Sequence, residues 1–256
     1  MPELPEVETV CRALQGAIIG STIDRVTVST KPLRNQIPAA ALNGQLAGRH
    51  IQDIRRRGKF IIVDLGVEVG LLLHLGMTGS CRVAAAAARP VKHDHVVWHL
   101  RDGRDWIFND PRRFGQVRLC RLAGADRRPD ELSHLGPEPL GPAFTPAYLL
   151  AQTARRHQPI KNLIMDQRVV VGVGNIYASE ALFAAGILPR RQAWRISVSR
   201  LAALVEAIRE VLRDAISCGG TTIRNFQSLD GSEGRFRACL QVYDRAGKPC
   251  PHCAAP

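Results

Sequence analysis

The chain has 256 residues, enough for one large domain or two modest ones, and 45% of it is hydrophobic, which excludes an intrinsically disordered class. Lys and Arg number 35 against 23 Asp and Glu, a formal charge of +12, so a polyanionic partner is expected, nucleic acid before membrane. No apolar run approaches the roughly 20 residues that span a bilayer, and the acidic start MPELPEVETV is unlike a basic signal peptide, so the expected location is the cytosol.

In chain order, a helix is expected from Pro5 to about Gln15, with Gly16 placed to stop it. Short apolar or alternating runs follow: TIDRVTVST, KFIIVDLG, VGLLLHLG, HVVWHLRDG, DWIFND and GQVRLCRL, divided by Gly, Asp and Pro. They predict an antiparallel sandwich with a leading helix, and the alanine tract 84–88 reads as a linker between strands. The Pro- and Gly-rich stretch ELSHLGPEPLGPAFTP (131–146) marks a domain boundary. Beyond it the chain reads as helical. TPAYLLAQTARRH begins with Thr145 as N-cap and Pro146 at the first helical position; NIYASEALFAAG ends on Gly186; SRLAALVEAIREVLRDAISCGG has apolar spacings of three and four. LQVYDRAGKPCPHC predicts a strand, a turn at Ala246-Gly247 and a return strand. No repeat of solenoid or propeller period is present.

Seven cysteines, an odd number, stand at 11, 81, 120, 218, 239, 250 and 253. Only Cys250 and Cys253 have metal-ligand spacing, and two thiolates cannot fill a four-ligand zinc shell. Other motifs carry chemistry more directly. Pro2 follows the initiator Met, and a small second residue permits Met removal, leaving a secondary amine with a pKa of about 8 against about 10.4 for lysine. Such an amine is a nucleophile toward a sugar carbon. Its iminium has no N–H proton to lose and so persists as an electron sink, and Glu3 beside it can move protons. In DPRRFG (110–115), arginines can grip phosphate or a base edge while Phe114 wedges into a stack, and Met77 of HLGMTG is a second candidate wedge. VGVGNIYASE lacks the third glycine of a dinucleotide fingerprint; it reads as a turn aiming helix amides at a phosphate, with Asn175 assisting. In HDHVVWH, His93 and His95 read as histidines on one strand face rather than metal ligands.

Taken together and in order, MPELPEVETV, RRRGKF, HLGMTG, KHDHV, NDPRRFG, HLGPEPL, VGVGNIYASEALFAAGI, GGTTIRNF and LQVYDRAGKPCPHC resemble the bacterial formamidopyrimidine-DNA glycosylase family over nearly the whole chain. The resemblance implies a two-domain α+β fold. It comprises an N-terminal catalytic β-sandwich (1–133), a linker (134–145), a helix-two-turn-helix DNA-binding domain with a lesion-capping loop (146–236), and a partial zinc ribbon (237–256), with DNA held between the domains. It implies a bifunctional DNA glycosylase and AP lyase of base excision repair acting on double-stranded DNA as a monomer. By motif, Pro2 would attack C1′, Glu3 would shuttle protons with Glu6 in support, and Lys59 would serve the lyase step. His74, His93, Arg112, Arg113, His157, Lys161 and Asn175 would contact DNA; Met77, Arg112 and Phe114 would fill the vacated stack; Thr221, Thr222, Arg224 and Phe226 belong to the lesion loop. MPELPE and IKNLIMDQ favour oxidised purines, 8-oxoguanine opposite cytosine and formamidopyrimidines. The family's zinc, one Zn2+ per monomer on four cysteines, would find only its first pair here, Cys250 and Cys253. The sequence stops at Pro256, without the segment expected to carry the second pair and an Arg used in δ-elimination. Two other readings stand beside this one: an oxidised-pyrimidine glycosylase of the endonuclease VIII type, and a damaged-DNA-binding protein that has lost turnover.

Overall fold

A computed structural model describes residues 1–85, 91–221 and 236–255 of the chain. The chain separates into two compact units, one holding Met1–Pro2 and Glu6–Ser133, the other Glu3–Pro5, His134–Thr221 and the described C-terminal segment. Among the described residues no helix is long and apolar enough to cross a membrane.

In the first unit helix α1 (Leu4–Ile18) precedes β1 (Ile23–Val28), α2 (Ala39–Leu46) and strands β2 (Asp53–Arg57), β3 (Phe60–Asp64), β4 (Val69–His74), β5 (Ser80–Ala85), β6 (Asp94–Leu100), β7 (Arg104–Asn109) and β8 (Gln116–Arg121). The strands make two four-stranded antiparallel sheets, ordered β1-β6-β7-β5 and β2-β3-β4-β8. Inward residues of both sheets, including Ile61, Leu73, Val96 and Phe108, share a core with Val7, Val10, Leu14 and Ile18 of α1. Trp98 and Trp106, cross-strand partners on β6 and β7, stack with ring centroids 3.9 Å apart and no exposed surface. Burying a side chain of this size contributes roughly 1.5–3 kcal/mol. Edge strand β1 is blunted by α2: Asn43 accepts from the Val26 amide at 2.8 Å and donates to the Val26 carbonyl at 2.7 Å.

The second unit is helical: α3 (Pro146–Thr153), α4 (Ile160–Met165), α5 (Asn175–Ala184) and α6 (Val198–Ser217). Thr145 caps α3, its hydroxyl accepting from the Tyr148 amide at 3.1 Å. Leu201, Leu204, Val205, Ile208, Leu212 and Ala215 form the buried stripe of α6, at the spacing an amphipathic helix requires. α5 is apolar nearly all round and packs against both α4 and α6.

The α+β architecture with a leading helix is the expected one, and four local readings are corrected. Helix α1 runs through Gly16 to Ile18, because Ile18 is fully buried and its packing outweighs the cost of one helical glycine; the chain turns instead at Gly20, φ +86°. The alanine tract begins as strand, Ala84 and Ala85 closing β5 opposite Asp105 and Arg104, while 86–88 lie outside the described residues. His93 does not share a strand face with His95: it precedes β6 at φ +76°, whereas His95 is buried in β6. The hairpin expected over LQVYDRAGKPCPHC is absent, because the amides of Gln241, Val242 and Tyr243 donate to the Glu180 carboxylate at 2.8–3.0 Å instead of pairing in a ladder.

Candidate active site and nucleic-acid surface

In the second unit, Gln167 shapes the glycine turn ahead of α5. Its amide group donates to the Val173 carbonyl at 3.0 Å and accepts from the Gly172 amide at 2.8 Å, while the Gly172 carbonyl accepts from the Leu4 amide at 3.0 Å. This fixes the α5 N-terminus against Glu3, which is 2% exposed. Glu3 Oε2 accepts from Gly174 N at 2.7 Å, and Oε1 from Ile176 N at 2.9 Å. Those are orphan donors of the first helical turn, and a carboxylate there also meets the positive end of the helix dipole. Only glycine fits at 174: a Cβ would stand 2.3 Å from Glu3 Cδ. Through the peptide bond, this fixed carboxylate adjoins Pro2, itself buried, with Met1 half exposed before it. A buried carboxyl of fixed orientation can pass protons to and from a group beside it.

In the first unit, Lys59 stands in the β2–β3 turn and is 7% exposed; Glu6 on α1 is 2% exposed. His74, opposite Phe60 in the β3–β4 register, accepts from the Gly76 amide through Nδ1 at 3.0 Å, and its ring lies 4.9 Å from that of Phe60. Burial first, then the charges of Lys59 and Arg34, push the imidazole down from 6.5 to about 4. His74 is thus a neutral ring at pH 7, with Nε2–H left as the donor.

Asp110, wholly buried, organises the turn beside it. Its carboxylate accepts from the Thr78 hydroxyl and from the Arg112 and Gly115 amides, and its carbonyl accepts from the Arg113 amide. Gly76 sits against this turn, where a Cβ would come within 2.5 Å of the Phe114 carbonyl carbon. The consequence is a rigid base under exposed side chains: Met77 is 40% exposed, Phe114 43%, and the Arg112 guanidinium lies over the Phe114 ring at 5.1 Å. Arg34, His74, Met77, Arg112, Arg113 and Phe114 border one hollow of about 670 Å³. Large apolar groups held out in solvent beside guanidinium donors suit insertion into a base stack.

The second unit has its own hollow, about 630 Å³, where Lys161, Asn175 and Ser179 meet Phe183 and Leu188. Lys161 Nζ donates to Ser179 Oγ at 3.0 Å, and Asn175 is exposed at the first turn of α5. A cation and free helix amides on one surface suit a phosphate. His157 and His93 border neither hollow; the His157 ring lies 5.6 Å from that of Trp194. Thr221 is buried, its hydroxyl 3.0 Å from that of Tyr177, and Thr222, Arg224 and Phe226 lie outside the described residues.

The cysteine pair does not fit a structural zinc. Among the described residues no group of three or more His, Cys, Asp or Glu could hold a metal ion, and zinc requires four ligands. The amides of His252 and Cys253 and the Cys253 side chain lower the Cys250 thiol below its ordinary range.

Sequence reasoning passed over Asp110, Gln167, Glu180 and Arg34. Asp110 and Glu180 stood inside quoted motifs, NDPRRFG and VGVGNIYASE, as buried carboxylates whose partners are backbone amides distant along the chain or hidden by the turn. Arg34 and Gln167 carry no local signal, because only the folded chain brings them to their partners.

The family model described as the formamidopyrimidine-DNA glycosylase N-terminal domain matches residues 1–117, and that of the formamidopyrimidine-DNA glycosylase H2TH domain matches 135–227. A formamidopyrimidine-DNA glycosylase of Syntrophotalea carbinolica is 46% identical over 100% of this chain and 93% of its own length. The crystal structure of the MutM (Fpg) protein from Thermus thermophilus superposes with a TM-score of 0.86 at 40% identity, covering 100% of this chain and 92% of that one. A structure of MutM in complex with DNA containing carbocyclic 8-oxo-G gives a TM-score of 0.89 at 35% identity, over 99% and 92%.

Proposed function

Since this chain belongs to the formamidopyrimidine-DNA glycosylase family, DNA repair enzymes with glycosylase and AP lyase activity, we propose that it excises oxidised purines from duplex DNA through a Schiff base on Pro2 and then cuts by β-elimination. The observation that carries the reading is the buried Glu3 carboxylate, held by the α5 amides next in sequence to the only residue whose main-chain nitrogen can become a secondary amine terminus.

In the proposed sequence Met1 is removed and the Pro2 nitrogen lone pair bonds to C1′ of the damaged nucleotide. The glycosidic C–N bond breaks and the base leaves with a proton supplied by Glu3, Glu6 supporting the local charge. The resulting iminium acidifies the 2′ C–H. A base takes that proton, Lys59 assisting, and the C–H electrons expel the 3′ phosphate oxygen; water then hydrolyses the remaining iminium. A target inside a duplex must first be flipped out, at a cost of a few kcal/mol. Met77, Arg112 and Phe114 would fill the gap and offset that cost. His74, His93, Arg113, His157, Lys161 and Asn175 would hold backbone phosphate, and Thr221, Thr222, Arg224 and Phe226 would close on the base. The protein would work as a monomer in the bacterial cytosol. No step is assigned to zinc.

The test is to incubate the Met-processed chain with a duplex carrying 8-oxoguanine opposite cytosine, add borohydride, and map the adduct by mass spectrometry. An adduct on the Pro2 nitrogen is expected, with 8-oxoguanine excised faster than thymine glycol; the reverse preference would assign the enzyme to oxidised pyrimidines. A second reading, a damaged-DNA-binding protein without turnover, is favoured by one observation: residues 241–243 are tied to Glu180 where a ribbon strand was expected. Lesion-duplex binding with a steep salt slope and no adduct would select it.

A further inference from the structure

The misfit between Cys250 and Cys253 and a zinc shell leaves two thiols whose geometry favours a different chemistry. Both lie in one tight turn, closed by the Ala254 amide donating to the Cys250 carbonyl at 2.8 Å and the Cys250 amide donating to the Ala255 carbonyl at 2.7 Å. The amides of His252 and Cys253 donate to the Cys250 sulfur, and the Cys253 side chain bonds to it as well, so the two sulfurs are neighbours. Cys253 is exposed and Cys250 partly so, while Cys11, Cys81 and Cys120 are buried. The ring of His252, between the two thiols, packs on Phe183 of α5 at 4.6 Å, which fixes the turn to a helix.

We propose that Cys250 and Cys253 form a reversible dithiol–disulfide pair that exchanges with low-molecular-weight disulfides. The Cys250 thiolate attacks one sulfur of the small disulfide, forming a mixed disulfide and releasing one thiolate. Cys253 gives its proton to solvent and attacks Cys250 Sγ, and the second small thiolate leaves. Two electrons pass from the cysteine pair to the small disulfide, which is reduced to two thiols. A partner thiol held beside the first makes the second step intramolecular, so the mixed disulfide does not accumulate.

The full chain, reduced and treated with a metal chelator, is equilibrated with mixtures of reduced and oxidised glutathione, quenched with acid, alkylated and mapped by mass spectrometry. The expected product is a Cys250–Cys253 disulfide without bound glutathione, with the pair oxidised at least roughly tenfold more than the exposed, unpaired Cys239 under the same poise. Cys253→Ser should stop the reaction at a glutathione adduct on Cys250. Independent glutathione adducts on Cys250 and Cys253, to the same extent as on Cys239, would overturn the proposal. So would zinc sulfate added to the reduced chain binding at one ion per chain, or per two chains, with both thiols protected from alkylation.

Discussion

Glu3 caps helix α5 from the other end of the sequence: its Oε2 accepts from Gly174 N at 2.7 Å, across 171 positions of chain. The relationship makes Gly174 a positioning residue. In Gly174→Ala the new Cβ would stand 2.3 Å from Glu3 Cδ, so either the carboxylate or the helix start must move. The expected outcome is a stability loss of about 1–3 kcal/mol, as for other insertions into a packed site, measured by denaturant unfolding. Excision of 8-oxoguanine should fall further than duplex affinity does; equal falls in the two would show that Glu3 is not what the glycine protects.

Phe114 and Arg112 are stacked at 5.1 Å with Phe114 43% exposed, so little of the fold depends on the ring. Phe114→Ala should leave the melting temperature unchanged while reducing the preference for lesion over undamaged duplex by roughly tenfold, the lower range of what one base–aromatic contact supplies. Fluorescence anisotropy with both duplexes measures the ratio. A preserved ratio would remove Phe114 from the proposed stack-filling group.

His74 gives the molecule an acid-side weakness of defined sign. Its imidazole takes up a proton near 6.5 when unfolded and only near about 4 when folded, because burial and then Lys59 and Arg34 oppose the charge. The unfolded state therefore binds more protons in that window. Stability from this group is complete above about 6.5 and is lost as pH falls toward 4, on the order of 3 kcal/mol over the interval. His74→Asn, whose Oδ1 can replace Nδ1 as acceptor for the Gly76 amide, should flatten this part of the stability curve, read from urea unfolding at stepped pH.

Glu180 holds the C-terminal segment through the amides of Gln241, Val242 and Tyr243 at 2.8–3.0 Å, and is 4% exposed. Hydrogen bonds to a charged group contribute about 1.5–3 kcal/mol each, so in Glu180→Ala these three amides should exchange with deuterium at least about tenfold faster. Protection within α6 serves as the control that the second unit remains folded. Unchanged exchange at 241–243 would mean that the segment is held by something other than this carboxylate.

Periodicity and punctuation in the sequence determined most of the framework. Alternating runs bounded by Gly and Asp became β1, β3, β4, β6, β7 and β8, and Thr145-Pro146 began α3 where capping chemistry places a helix start. These are local properties, set within a few residues by backbone sterics and by which face each side chain must bury. The amino-terminal Pro2-Glu3 pair and the wedge residues Met77 and Phe114 were legible for the same reason, as chemistry written in neighbouring residues. What the sequence did not reveal depends on partners far along the chain. The arginine run of β2 looks like a solvated loop until Arg56 meets Glu8 of α1 at 2.7 Å and the strand finds β3. Helix α1 passes Gly16 because Ile18 has a core to enter. The 241–243 segment has strand composition but no strand partner, and the Glu180 carboxylate takes its amides. Only the tertiary structure decided these, since backbone donors and apolar side chains take whichever partner the fold brings to them, and composition alone does not name that partner.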